Sequence, residues 1–218
     1  MSSFEELKES WKNKSVFQRQ LDLNLRQLDG GFSYPPHWRQ MLQVLGTLRP
    51  KSIHELGCGV GAASQVIKTH IPSIEYSGSD YSEDAIDIAK KQWGSPDKFS
   101  VLDIRDMTED FVQKYDCLLE GAVLDVIPDA DDVLKFLLSL KPKNLYLQRM
   151  KFTDKPSYYE EYEAYGEITT CQYYHNIDNI FNMSEARDYD IVPIKSKPLP
   201  ILSSIHNKYP EGLLFKRK

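Results

Sequence analysis

Three carboxylates and one glycine turn hold most of the chemistry legible in this sequence. In "SIHELGCGVGAA" (52–63), Gly57, Gly59 and Gly61 stand at every second position directly behind a short apolar run. Glycines at a strand-to-helix turn let the backbone approach a ligand closely, and the N-terminus of the following helix favours negative charge. Gly57, Gly59 and Ala62 satisfy the pattern G-x-G-x-x-G/A, which leaves a nicotinamide dinucleotide open. Glu55, two residues before Gly57, argues against it. A carboxylate at that strand end would repel a pyrophosphate, but it can accept hydrogen bonds from an amino-acid ammonium, directly or through water.

Two further acids end the next two apolar runs, Asp80 in "YSGSD" and Asp103 in "FSVLD". Ligands of open parallel sheets lie across the carboxyl ends of the strands, and Asp80, 23 residues after Gly57, stands at the interval for a carboxylate that accepts both ribose hydroxyls. Asp103 can accept from an adenine amino group while the Ile104 backbone meets the ring edge. A ligand with an amino acid, a ribose and an adenine, and with no need of a phosphate, is S-adenosylmethionine. That is the expected cofactor.

The elements that must position these residues follow from periodicity. Apolar spacing between Phe4 and Leu28 predicts one or two amphipathic helices; "DGGFSYPP" breaks them, and Pro35 or Pro36 opens another helix that Pro50 stops. Strands over 52–56, 74–79, 98–102, 115–120 and 144–148 then alternate with helices over 62–70, 82–93, 108–114 and 130–140, which is the pattern of an α/β fold with a parallel sheet. Residues 151–182 read as a long, tyrosine-rich irregular segment, 184–187 as a helix start, and 190–195 with 212–216 as two closing strands, antiparallel to each other. With 218 residues, 41% of them hydrophobic, the chain can bury one sizeable core, so a single domain is expected.

Composition narrows the setting. A net charge of −5 with no dense basic run before "FKRK" gives little support for a nucleic-acid partner. No 18-residue apolar run is present and the N-terminus lacks a signal-peptide core, so no membrane span and a cytoplasmic location are expected. Cys58, Cys117 and Cys171 are far apart, which argues against zinc and against a disulfide framework and fits a reducing compartment. Asp129, Asp131 and Asp132 suit the solvated start of a helix better than a magnesium site, so no metal is expected.

"HELGCGVGAAS", "SGSDYSEDAIDIAKK", "VLDIRD" and "YDCLLEGAVLDVIPD", in that order over 51–148, resemble the class I S-adenosylmethionine-dependent methyltransferases. The resemblance implies a Rossmann-like seven-stranded, mostly parallel sheet with helices on both faces and a C-terminal antiparallel strand. It divides 1–218 into an N-terminal helical cover (1–50), a cofactor-binding core (51–148) and an acceptor region with the closing strands (149–218). Residue by residue, Glu55, Gly57, Gly59 and Gly61 match the motif around the methionine part. Asp80 and Tyr81 match the ribose position, Asp103 and Ile104 the adenine pair, and Glu120-Gly121 the loop beneath the sulfonium. "LYLQRMKFTDK" and "YYHNIDNIFNMSEARDYDIV" resemble methyltransferases associated with surface-polysaccharide synthesis, which implies a sugar or glycan acceptor.

Methyl transfer to a neutral hydroxyl needs a proton acceptor. Asp125 is the first candidate, with a turn cap as its structural alternative, and His175 the second. Arg149, Tyr173 and Tyr174 are candidate acceptor-binding residues. The Asn-Pro-Pro-Tyr type signature of amino-directed methyltransferases is replaced by Glu120-Gly121-Ala122-Val123, which favours oxygen as the acceptor. The expected function is O-methylation of a sugar or glycan hydroxyl. Another small-molecule hydroxyl, a nicotinamide-dependent oxidoreductase and a non-catalytic binding module remain as alternatives.

Overall fold

Strand β1 (Ser52–Leu56) buries Ile53, His54, Glu55 and Leu56 in succession, as a strand covered on both faces must. It lies between β2 (Glu75–Asp80) and β4 (Cys117–Glu120) and runs parallel to both. β3 (Phe99–Val101) extends the parallel sheet beyond β2, and β5 (Asn144–Gln148) extends it beyond β4. β9 (Tyr189–Ile194) and β10 (Gly212–Arg217) close that edge, with β10 antiparallel to both β5 and β9. The seven strands stand in the order β3-β2-β1-β4-β5-β10-β9. The order reverses between β1 and β4, so the crevice expected at a topological switch point opens beyond their carboxyl ends. The computed structural model describes residues 2–30, 34–195 and 208–218.

Alternate residues of the central strands divide the core into two layers. Leu118, Leu145, Leu147, Leu213 and Phe215 pack on one face with Leu134, Leu137 and Leu138 of α7 (Ala130–Ser139). Cys117, Leu119, Tyr146 and Leu214 pack on the other with α3 (Pro36–Leu48), α4 (Ala62–His70) and α5 (Glu83–Trp93). Helices therefore cover both faces. Their ends follow local chemistry: Pro36 sits in the first turn of α3, the Ser82 side chain accepts from the Ala85 N–H at the start of α5, and Gly94 ends α5 in the left-handed conformation. The predicted N-terminal helices are α1 (Phe4–Glu9) and α2 (Lys14–Asp29); Gly31 of the predicted break lies outside the described residues. The short α6 (Glu109–Val112) leads into β4. Among the described residues no helix is long and apolar enough to cross a membrane.

The segment read as irregular forms a second sheet of three strands in the order β6-β8-β7. β7 (Tyr158–Ala164) and β8 (Ile168–Asn176) make an antiparallel hairpin, β6 (Phe152–Thr153) joins β8 in parallel, and α8 (Ile177–Asn182) follows. The hairpin turns on Tyr165 and Gly166, both left-handed at φ 56° and 68°, and Glu167 N–H donates back to the Ala164 carbonyl. Its strand signal is hidden because β7, YYEEYEA, has no alternation of apolar with polar residues, and Tyr158 and Tyr162 are exposed. The predicted helix start at Ser184 is a short 3₁₀ turn over Ser184–Asp188.

His54, mid-strand, is buried, with Nδ1 2.8 Å from Ser77 Oγ and Nε2 2.9 Å from Ser79 Oγ. Burial holds its pKa down to about 4, below the ordinary value of 6.5. A depressed folded-state pKa means that the stability tied to the neutral ring is present above about 6.5 and is lost as pH falls toward 4. Denaturant unfolding at a series of pH values should show that loss, on the order of 2–3 kcal/mol. His54→Leu should flatten the slope in that window; an unchanged slope would remove His54 as its source.

Candidate active site

The crevice beyond β1, β2 and β4 is a cavity of about 450 Å³, within the size range of small-ligand sites. Its floor is built from strand ends: Gly57 and Gly59 after β1, Asp80 and Tyr81 at β2, Asp103 and Ile104 after β3. Gly121 after β4 and Arg149 after β5 complete it. All eight were expected from sequence.

The glycines are required by space. Gly57 and Gly59 adopt φ +61° and +52°, and a Cβ on them would lie 2.0 Å from Val123 Cγ2 and 2.8 Å from Gln20 Oε1. Asp80 fixes this turn: Gly59 N–H donates to its Oδ2 at 2.9 Å and Ser82 N–H to its Oδ1 at 3.0 Å. Burial raises the Asp80 pKa above the ordinary carboxylate value even so. Asp103 differs. Burial pushes it up, but the Arg105 N–H bond (3.0 Å) and the Lys8 ammonium 2.9 Å away outweigh that and hold it low.

The roof comes from the N-terminal cover and the acceptor region, both expected near the site. Lys8 of α1, Trp11, and Phe17 with Gln20 of α2 line one half; Tyr162, Glu163, Ala164 and Tyr165 of the hairpin line the other. Tyr81 O–H donates to the Lys8 carbonyl, Trp11 Nε1–H donates to Thr170 Oγ1 at 2.8 Å, and Ser2 N–H donates to Glu161 Oε1 at 2.9 Å. Gln20 Oε1 is buried against the Gly59 turn and has no hydrogen-bond partner among the described residues. The predicted helical cover and acceptor region were the signals for this roof, but the cover named no residue.

Several expected site residues lie elsewhere. Glu55 is buried behind Gly121, accepts a hydrogen bond from Tyr76 O–H, and is pushed up to about 8 by burial. Glu120 turns back on its own loop, where Oε1 accepts from the N–H groups of Ala122 (2.8 Å), Val123 and Leu124 (3.0 Å). Gly61 lies beneath the turn against Phe99. Asp125 is 5% exposed, one layer behind the wall, with Oδ1 unpartnered among the described residues and its pKa raised by burial to about 7. His175 was expected on a loop; it is fully buried in β8, with Nδ1 2.7 Å from Asp131 Oδ1. Tyr173 packs against His175, and Tyr174 stacks on Tyr158 at 4.8 Å. None of these three lines the cavity, because β8 turns them into the hairpin's own packing; Tyr162 and Tyr165 take the wall positions instead. The acids at the start of α7 are individually engaged, Asp129 with Arg105 (2.6 Å), Asp131 with His175, and Asp132 with Lys135 (3.1 Å).

Residues 54–142, which contribute most of this floor, match the family profile described as a methyltransferase domain. These residues carry a methyltransferase domain, and the chain has the fold of S-adenosylmethionine-dependent methyltransferases. Solved structures agree on the fold. A magnesium protoporphyrin IX methyltransferase from Synechocystis, with S-adenosylmethionine bound, is similar at TM-score 0.53 and 19% identity over 84% of this chain and 80% of its own. A 1,6-didemethyltoxoflavin N1-methyltransferase from Burkholderia thailandensis matches at 0.59 and 13%, over 99% and 89%. The sugar N-methyltransferase KedS8 from Streptoalloteichus matches at 0.57 and 11%, over 91% and 92%.

The cavity beside this domain fits S-adenosylmethionine on its own terms. The turn at Gly57 and Gly59 has no room for a side chain, Asp80 presents a buried carboxylate, and Gln20 Oε1 presents an unsatisfied acceptor. If Asp80 accepts the ribose hydroxyls, Asp80→Asn should weaken S-adenosylhomocysteine binding by about 2–3 kcal/mol, the range for lost charge-assisted hydrogen bonds. Titration calorimetry is the check, and an unchanged affinity would take Asp80 out of the binding set.

Proposed function

We propose that this methyltransferase acts on a hydroxyl of a sugar or glycan and that Asp125 receives the hydroxyl proton. The observation carrying this reading is the buried, unpartnered Oδ1 of Asp125. A carboxylate whose pKa burial has raised to about 7 is matched to general-base work near neutrality, which an ordinary aspartate is not. Its neighbours Val126 and Arg149 line the cavity, and its charge is felt by Tyr162: burial first, then Asp125, raise the Tyr162 pKa.

S-adenosylmethionine supplies an electrophilic methyl group on a sulfonium when bound. Gly57, Gly59, Asp80, Asp103 and Ile104 would hold its two ends along the floor, and the hairpin wall of Tyr162 and Tyr165 would orient the acceptor. Alignment of this kind turns a bimolecular encounter into an effectively unimolecular step. The roof of Lys8, Trp11 and Phe17 limits water. As the acceptor oxygen takes the methyl group, whose bond to the sulfonium breaks to leave S-adenosylhomocysteine, the Asp125 carboxylate would take up the hydroxyl proton.

Support for a sugar comes from the tyrosine-rich wall and from KedS8, named a sugar N-methyltransferase, among the fold's relatives. Support for oxygen comes from the Glu120-Gly121-Ala122-Val123 loop, which carries no amide or proline at the positions where amino-directed enzymes have them. In this reading, residues 1–50 supply the cover, 51–148 the donor site, and 149–218 the acceptor wall and closing strands. Three buried free thiols, Cys58, Cys117 and Cys171, fit work in the reducing cytoplasm.

Asp125→Asn should slow labelled methyl transfer to its best sugar acceptor by about a hundredfold or more, with S-adenosylhomocysteine affinity unchanged. The wild-type rate should fall as pH drops below about 7, where Asp125 gains its proton. An Asn variant with full turnover would leave the reaction without this base.

A further inference from the structure

Strain in this fold gathers around the cavity. Of the five non-glycine residues with positive φ among the described residues, three line it: Ala122 (119°), Arg149 (57°) and Tyr165 (56°). A non-glycine residue held there costs free energy and persists only where the surroundings fix it, and such positions cluster at functional sites. Arg149 is fixed by its neighbours. Gln148 ends β5, and Met150 N–H donates to the Glu211 carbonyl at 3.2 Å, so the chain kinks at Arg149 alone and turns its side chain out of the sheet.

The charges of the cavity are unevenly answered. Lys8 is paired with Asp103 and Arg105 with Asp129 and Asp103, whereas Arg149 makes no hydrogen bond or ion pair among the described residues. The carboxylates that feel its charge, Glu120 and Asp125, are buried behind the wall and form no ion pair with it. Glu163, across the cavity on the hairpin, forms no ion pair with it. His37, the titratable group facing it from α3, is held down to about 4 by burial and then by the Arg149 charge, so it is neutral. The guanidinium therefore stands in the cavity with no direct ion-pair partner among the described residues, a planar fork suited to an oxyanion.

We infer that the acceptor is an acid: the hydroxyl compound that enters between Arg149 and the hairpin carries a carboxylate or phosphate group, which Arg149 binds and which sets substrate choice. The inference rests on the proposed acceptor side of the cavity, and it makes the substrate an anionic sugar, such as a uronic acid or a sugar phosphate, rather than a neutral one.

The test uses the full chain saturated with S-adenosylhomocysteine and titrated, by ligand-observed NMR, with glucuronate, glucose 1-phosphate, glucose and 4-hydroxybenzoate. Glucuronate or glucose 1-phosphate should bind about tenfold or more tighter than glucose, and whichever binds tighter identifies the acidic group as carboxylate or phosphate. Arg149→Gln should erase that preference while leaving S-adenosylhomocysteine affinity unchanged. Arg149→Gly should erase it too while keeping or raising the melting temperature, because glycine relieves the left-handed strain. A residue kept only for structure would not separate stability from ligand choice in this way. Equal binding of glucuronate, glucose 1-phosphate and glucose by the wild type would overturn the inference. So would an Arg149→Gln variant that loses S-adenosylhomocysteine and keeps the acidic preference. If 4-hydroxybenzoate alone binds, and through Arg149, the acidic acceptor stands and the sugar reading falls.

Discussion

The carboxylate of Asp80 holds two turns at once, and the rest of the site is arranged around it. One oxygen takes the N–H of Gly59 and so fixes the turn after β1; the other takes the N–H of Ser82 and so starts α5. Because Cys58 N–H also donates to the Ser79 carbonyl at 2.8 Å, the glycine turn is bound to β2 by backbone as well. The floor is thus a rigid seam between two neighbouring strands, and its shape is decided before any ligand arrives. The next residue, Tyr81, carries the seam upward to the roof through the Lys8 carbonyl.

That division between floor and roof explains what could be read from sequence. Each floor residue ends a strand, and strand ends are marked locally by an apolar run followed by a glycine or an acid. Gly57, Asp80, Asp103 and Gly121 were legible for that reason, and β1, α4 and β5 were read with the observed bounds. The roof is made by contacts such as Lys8 with Asp103 and Trp11 with Thr170, between residues far apart in the chain, and no periodicity announces those. The hairpin was missed as a sheet because its outward face is tyrosine and glutamate. With it went the assignment of acceptor residues: His175 and the two tyrosines before it were placed on a loop, whereas β8 buries His175 and Tyr173 and stacks Tyr174 on Tyr158.

Behind the floor lies an acidic layer that the sequence could not have shown as a group. Glu55, Glu120 and Asp125 are all buried, and the charges of Glu120 and Asp80 add to burial in raising Glu55. Raised folded-state pKa values mean that the stability linked to the protonated forms is present at low pH and is lost as pH rises through about 7 for Asp125 and about 8 for Glu55. This runs opposite to His54 on the same sheet. The native state therefore carries protons that the unfolded chain would release, at the part of the molecule where charge chemistry is needed.

The roof is fastened mostly by polar contacts on its outer side. Beyond one small apolar cluster of Val16, Ala164 and Ile168, with Trp11 and Tyr165 against it, the two halves are joined by Ser15 and Arg19 of α2 to Glu167, and by Ser2 to Glu161. Lys8 with Asp103, both partly exposed, ties the roof to the floor. Exposed ion pairs weaken as dissolved salt screens them, while the backbone seam of the floor does not. Ionic strength therefore acts on access rather than on affinity for the floor: salt loosens the cover and quickens exchange of whatever lies beneath it, and the binding surface itself keeps its shape.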